Sequence, residues 1–429
     1  MSPIRATILV AMLCTRLASS SGALAQQPLV NTTVSLDSLI SEALTHNPEI
    51  QAARQYWVAA EHREPQVSVL DDPMVTYTHW LSSPETSVGP QTNAFMLSQP
   101  IPFPGKLGLK GDVAREDARA TELRFEATKR DVIFRIKSAY YDLYRVDQSL
   151  TILDRYLDLL RDFSRVAEQK YATGEGIQAN VLKSHVEISS ILERKLMFER
   201  RRTSITARIN ALIDQPAVAL IGFVPSIDTG RMVIAESLLV QNAMAHRQEL
   251  QVTEAAIRKS EFMKSLARLQ YYPNFNVQAS YISVARGNSM SSDAGKDAYS
   301  IGIGLNIPIQ LGRRSAATEE ADATYRANTL MYRNVENTVK AEIEDLHFQL
   351  MSIGQTLDLY DQGLLVQAHN ALESALSAYS TGRMDFLNLL DSERMLLQAR
   401  LGYVEEQADY QKTLAALERA VGGSLSPAN

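Results

Sequence analysis

Residues 112–173, DVAREDARATELRFEATKRDVIFRIKSAYYDLYRVDQSLTILDRYLDLLRDFSRVAEQKYAT, run for 62 residues without a glycine or a proline. Nothing in that stretch stops a helix, and at ~1.5 Å per residue one helix of this length would span roughly 93 Å, several times the width of a compact domain. Its apolar residues fall at Val132, Ile136, Ala139, Leu143, Val146, Leu150, Leu153, Leu157, Leu160, Ala167 and Tyr171, in alternating steps of four and three broken only by Ser164. That period is the seam of a coiled coil. The seam returns 207 residues later as Val339, Ile343, Leu346, Leu350, Ile353, Leu357, Tyr360 and Leu364. The chain therefore reads as a tandem duplication of a unit built on one very long helix.

Working outward, the 429 residues are 45% hydrophobic and 21% charged with a net charge of -6, which offers no basic excess for nucleic acid. Residues 1–25 carry Arg5, an apolar run from Ile8 to Leu13 and Ala23-Leu24-Ala25, the pattern of a secretory signal peptide, so the mature chain is expected to begin at Gln26. The single cysteine, Cys14, lies inside that segment and follows Leu13, where a lipid-attachment site would want a small residue. A mature chain without cysteine has no disulfide and no thiolate metal site. No later apolar run approaches the ~18 residues of a transmembrane helix, so membrane entry would have to be made by strands.

Leu36 to Thr45 reads as a short helix, and Asn47-Pro48 as the cap and first position of a second, running to about Leu70 with a kink at Pro65. Ala43, His46, Glu49, Gln51, Glu61 and Pro73 recur in register as Ala243, His246, Glu249, Gln251, Glu261 and Pro273. After each of those prolines the period changes to two, giving strands at 74–81 and 93–101 in the first copy and at 274–284 and 298–309 in the second. One face is bulky, with Phe95, Leu97, Ile301 and Ile303; the other is small and polar, with Asn276, Ser280, Gly302 and Gly304. Lipid outside and water within would produce this alternation, and so would a half-buried soluble sheet. Polar turns are expected at Ser82 to Gln91 and Arg286 to Lys296.

The second strand of each copy leaves through a proline-marked exit, Gln99-Pro100-Ile101-Pro102-Phe103-Pro104-Gly105-Lys106 and Asn306-Ile307-Pro308-Ile309-Gln310-Leu311-Gly312-Arg313. Long helices follow at 107–173 and 313–381, broken at Gly174 and Gly382, and helices at 176–214 and 384–421 return beside them. The organisation is signal 1–25, repeat 26–214, linker 215–235, repeat 236–423 and tail 424–429. The shorter and returning helices of each unit sum to about the length of the long one, so they could stack end to end beside it. Four strands cannot close a barrel, since the smallest membrane barrels have ~8. Two chains would make a filled barrel; three would give twelve strands around an aqueous lumen, which suits the small polar face.

The order and double occurrence of these features, with Ser98-Gln99-Pro100 and the tips followed by Asn180-Val181-Leu182 and Asn388-Leu389-Leu390-Asp391, resemble the TolC family of outer-membrane efflux proteins over essentially the whole mature chain. The resemblance implies a mainly α fold with membrane β: a homotrimer with a twelve-stranded outer-membrane β-barrel, four strands per chain, continued by a periplasmic α-helical barrel. It implies an exit duct for efflux, with outer-membrane lipid around the barrel and partners in a periplasmic adaptor protein and an inner-membrane pump of the RND type. It carries no cofactor and no nucleic acid. The tip residues Gly174, Asn180, Gly382, Asp385, Asn388 and Asp391 are then candidates for the gate and for adaptor docking, although Asn388 stands where some members carry a gate-facing Asp. The Pro102-Phe103-Pro104-Gly105-Lys106 exit is similar to that of the heavy-metal branch that includes CzcC-like proteins; drug efflux or type I protein secretion are the alternative cargoes.

On chemistry the residues say little. No Ser-His-Asp order, HExxH or phosphate-cradling loop appears in its expected context. His46 and His246 are read as polar residues at helix starts, and His185, His347 and His369 as isolated rather than convergent ligands. Glu199-Arg200-Arg201-Arg202 is read as a solvated helix face, with adaptor contact as the alternative. A periplasmic coiled-coil scaffold and an exported enzyme are the competing classes; the greasy strand faces argue against the first and the lack of any site against the second.

Overall fold

The computed structural model describes residues 33–227, 230–232, 234–288, 290 and 292–425; the signal segment with Cys14, and the Gln26 terminus, lie outside the described residues. The long helix is there. It is α4, Lys106–Ala172, 67 residues or about 100 Å at helical rise. Along it the seam residues Val132, Ile136, Ala139, Leu143, Val146, Leu153, Leu157, Leu160 and Ala167 are buried, and so is Ser164, whose hydroxyl lies 3.0 Å from that of Ser184. Tyr171, the last residue of the predicted seam, is exposed.

Before α4 come α1 (Leu36–His46), α2 (Pro48–Glu61) and α3 (Glu64–Val67); after it comes α5 (Gln178–Leu212). The second copy supplies α6 (Glu236–His246), α7 (Gln248–Leu269), α8 (Leu311–Leu359), α9 (Leu365–Ser380) and α10 (Phe386–Val421). Pro65 does more than kink its helix: the chain leaves α2 at His62 and resumes only as the one-turn α3. His46 and His246 close α1 and α6 rather than opening helices. Beneath the sheet the helices pair in the order α2 and α3, α4, α7, α8; farther down the order is α5, α4, α10, α9. The helix α4 is the common member of both rows.

End-to-end stacking is made by one hydrogen bond per copy. Asn47 caps α2 through the amides of Glu49 and Ile50, and its Nδ2 donates to Leu212 O at the end of α5, 2.8 Å away. At the equivalent position Arg247 donates from Nη1 to Ala420 O at the end of α10, 3.0 Å away, and pairs with Glu342. Different residues do one job.

The second long helix departs from the first. Residues Tyr360–Leu364 form a π-helical turn between α8 and α9. Above it Val339, Ile343, Leu350 and Leu357 are buried, as the seam requires, but Leu364 is exposed and the buried row resumes at Ala368, Leu372 and Ala375, one residue late. The two copies stand 207 residues apart in the seam and 208 at the tips Gly174 and Gly382, so the π turn holds the one inserted residue. Around it Arg231 of the linker pairs with Asp358 and with Asp361, and the Tyr360 ring packs over Gly402, where a side chain would collide with the hydroxyl.

The strands β1 (Met74–His79), β3 (Gly89–Ile101), β4 (Phe275–Val284) and β5 (Ala298–Leu305) make one antiparallel sheet in that order, and a two-residue β2 (Glu85–Thr86) pairs with the start of β3. The expected turn at 82–91 is thus partly strand. The strand expected to reach residue 309 ends at Leu305, three residues before Pro308, and leaves the segment 306–310 irregular.

Of the Glu199–Arg202 charge run, Arg202 is not a solvated residue. Its Nε lies 2.7 Å from Oδ1 of Asp147, which is 2% exposed, while Asp147 Oδ2 accepts the Val224 N–H at 2.9 Å. Arg202 also donates to the carbonyls of Ile221 and Gly222, so the pair fastens the linker to α4 and α5. Removing the carboxylate strands the guanidinium and a backbone donor. Asp147→Ala is expected to cost roughly 3 kcal/mol and lower the melting temperature, whereas Glu199→Ala, on the exposed side of the same run, should change it little. Thermal denaturation of both variants, followed by circular dichroism, checks this.

Candidate functional site

The sheet is two-faced over its whole width. On one face Tyr77, Phe95, Tyr281 and Tyr299 stand in register on all four strands, with ring centroids 4.9, 6.4 and 5.1 Å apart in succession. This aromatic row lies toward the β1–β3 and β4–β5 turns, and Val75, Leu97, Ile301 and Ile303 continue the same face, all of them exposed. An aromatic girdle above an aliphatic band is what a lipid-facing barrel wall presents. The opposite face carries Thr76, Ser98, Asn276, Gln278, Ser280, Ser300, Gly302 and Gly304, tied by Ser280–Ser300 at 2.7 Å and Ser98–Asn276 at 3.0 Å. Sequence reasoning found the alternation but missed the girdle, because its four members lie on strands that only the pairing register brings together.

At the strand-to-helix exit, Gln99 Nε2 donates to Asp71 O at 2.8 Å, Pro100 is still inside β3 opposite Asn276, and Pro102 is half-buried between β3 and α4. Gly105 is the N-cap of α4 with φ of +92°, a backbone that favours glycine. Its counterpart Gly312 lies inside the first turn of α8, which begins at Leu311 after Pro308, so the two exits are not superposable in role. Lys106 is buried and donates to Tyr272 O at 3.0 Å and Asn274 Oδ1 at 2.8 Å, beside the stacked rings of Phe103 and Tyr272. Burial, with Arg314 and Lys110 adding to it, holds its ammonium pKa below the usual lysine range. It clamps the first long helix to the strand of the second copy.

At the far end the two tips lie side by side. Lys170 Nζ sits 4.3 Å from the Tyr379 ring centroid and 3.3 Å from Tyr379 O. Gly174 (φ +78°) and Gly382 (φ +71°) end the long helices in left-handed conformation with open space where a side chain would go. Asp385 caps α10 by accepting the Asn388 N–H at 2.9 Å; Ile177, which stands before α5, offers no side-chain cap, and Asn180 is half-buried in the first turn of that helix. Asn388 and Asp391 are exposed, and Asp391 Oδ1 lies 3.5 Å from Arg394 Nη1. Arg394 reaches across to Glu187 of α5, with Nε 3.2 Å from Oε1, so it links the second hairpin to the first. Hydrogen bonding to Glu187 raises the Arg394 pKa. That cross-link was not visible in the sequence, where Glu187 and Arg394 are two surface-like charges 207 residues apart.

A tandem pair of helical hairpins hung from a sheet with one lipid face and one polar face defines an outer-membrane channel of the efflux type. The chain belongs to the outer membrane efflux protein family, whose model matches residues 39–214 and 239–423. It is 22% identical over 324 residues to the outer membrane protein TolC of Vibrio cholerae, covering 72% of each chain. It is 19% identical over 400 residues to the cobalt-zinc-cadmium resistance protein CzcC of Cupriavidus metallidurans, covering 91% of this chain and 90% of that one. Among solved structures, the outer membrane protein VceC of Vibrio cholerae superposes with a TM-score of 0.76 at 21% identity, over 91% of this chain and 96% of that one. The chain is an outer-membrane exit duct of an efflux system, and members of its family form homotrimeric channels that work with adaptor proteins and inner-membrane RND pumps.

The two faces of β5 separate in one pair of variants. Ile301→Asp puts a charge on the lipid face and should cost on the order of 2 kcal/mol per protomer and reduce trimer in the outer membrane. Gly304→Asp points into the polar face, where the nearest atoms are 3.8 Å away, and should assemble normally. Native mass spectrometry of detergent-extracted protein reads the difference; equal tolerance would defeat the assignment of faces.

Proposed function

We propose that this chain is a passive conduit: three copies close a twelve-stranded bore, the helices carry it through the periplasm, and the paired tips narrow it. The observation that carries the reading is the sheet, since four strands with a lipid face and a small polar face cannot close alone, and three chains leave a water-filled lumen. Nothing in the duct has to do chemistry; the energy comes from the pump. The tips are the natural docking place for an adaptor and the natural constriction, with Asp391 repeated three times around the axis.

The cargo we propose is a metal cation. CzcC and the cation efflux protein CusC of Escherichia coli K12 align with 91% and 90% of this chain, against 72% for TolC of Vibrio cholerae. The Pro102-Phe103-Pro104-Gly105-Lys106 exit points the same way. A strain lacking the gene should become sensitive to zinc, cadmium or copper salts and keep its tolerance of detergents and dyes; the reverse pattern would assign it to drug efflux.

Two tip variants test the gate and the docking site separately. Gly382→Val forces a side chain into a left-handed backbone at ~1 kcal/mol or more, distorting the tip while the barrel, roughly 100 Å away, stays intact. The trimer should reach the outer membrane yet fail to support export. Asp391→Ala removes a carboxylate from each of three tips and releases Arg394 from one of its partners, so single-channel conductance in planar bilayers should rise several-fold. Unchanged conductance together with unchanged export would move both gate and docking surface up the tunnel.

A further inference from the structure

Glu393 lies on α10 where that helix packs against the lower half of α4, the contact that joins the second hairpin to the first. It is only 3% exposed, and its Oε2 has no hydrogen-bond partner. Facing it across a cavity of about 40 Å³ are Arg155 and Tyr156 of α4 and Arg400 of α10, among Leu159, Leu396 and Leu397. The Tyr156 hydroxyl is likewise buried without a formed hydrogen bond. From α5, Glu187 approaches Tyr156 but is engaged by Arg394, and α9 brings Ala368, Leu372 and Ala375, with Leu365, Leu376 and Tyr379 half-buried beside them, to the same cluster. Two buried residues with an unpaired polar atom, one on each helix, therefore line one small cavity. The cavity is large enough for about one water and offers the Glu393 carboxylate no full ion pair.

We propose that Glu393 is a proton-sensitive lock on the seam between the two hairpins, closed when the carboxyl is neutral and forced open when it ionises. This rests on the reading of the tips as the constricted end of the duct, because separating α10 from α4 is what widening that end requires. Burial pushes the Glu393 carboxyl up to about 7, with Arg400 pulling the other way. The direction follows from linkage: the packed seam binds a proton that a solvated carboxyl has already lost, so its stability is full below the ordinary glutamate range and falls as the pH rises through about 7. Between the ordinary glutamate range and about 7, where the packed seam holds a proton that the opened seam has lost, the open-to-closed ratio rises by up to about tenfold per pH unit, and above about 7 it levels off.

The test is single-channel recording of the purified trimer in planar bilayers from pH 5.5 to 8.5, on the wild type, on Glu393→Gln, which imitates the neutral acid, and on Glu373→Gln, an exposed glutamate of α9. The wild type and Glu373→Gln should show open occupancy rising as the pH climbs to about 7 and levelling off above it, while Glu393→Gln stays at the low-pH level throughout. A flat wild-type profile, or a step that survives in Glu393→Gln, overturns the lock. Hydrogen exchange of the wild type at pH 6 and pH 8, corrected for intrinsic rates, is the second arm and needs neither a variant nor a pore. Protection of α4 residues 152–160 and α10 residues 390–400 should fall at the higher pH, and unchanged protection rejects the proposal. A trimer that never conducts at any pH counts against the duct reading instead, and the exchange arm then still decides the lock.

Discussion

A wall one helix thick has no deep interior, so each helix in it must match a neighbour on both flanks. That constraint falls hardest on α4, which pairs with α2, α3 and α7 near the sheet and with α5 and α10 farther down. Its period of three and four keeps one apolar row, from Val132 to Ala167, in phase with neighbours that coil around it. Ala139 and Ala167 let partners approach, and the one polar interruption, Ser164, is answered by Ser184. Polar atoms that enter such a wall are either fully paired, as in Asp147 with Arg202 and Val224, or left as a tension, as at Glu393.

The long helices, the duplicated plan and the alternating strands were legible because each is a repeated local pattern, and repetition survives without knowledge of contacts. What escaped was non-local. The aromatic girdle needs the strand register; the Glu187–Arg394 link joins residues far apart in the chain; Glu393 looks like any exposed helical glutamate until α4 covers it. Strand ends were missed for a simpler reason. Alternation continues through Ile307 and Ile309 as a sequence pattern, but the strand ends at Leu305: Asn306 makes one last in-register bond, its N–H to Asn274 O, and Pro308 offers no donor. The π turn was legible in principle, since a seam spaced at 207 and tips spaced at 208 cannot both hold in two unbroken helices.

Duplication did not preserve residues so much as connections. Asn47 and Arg247 share little chemistry, yet each donates to the last carbonyls of the helix below it; Gln51 and Gln251 repeat a bond to the end of the preceding short helix, at 3.1 and 3.0 Å. At Asn47 and Arg247 the joint between stacked helices has kept its bond while changing the residue, and at Gln51 and Gln251 it has kept both.

The extra residue in the second long helix has a geometric outcome. A π turn widens the coil instead of lengthening it, so the surplus is absorbed sideways, and Lys170 and Tyr379 still meet at the same depth. Below the turn the buried row Ala368, Leu372 and Ala375 is again in phase with the first long helix, each residue standing 208 positions after its counterpart. Six tips gathered in a trimer would therefore end on one plane with their buried rows in phase and still differ in what they present, one kind capped by Asp385 and the other not. The ring is three-fold by construction and only imitates six-fold symmetry, so a partner that meets it in six copies would face two kinds of socket.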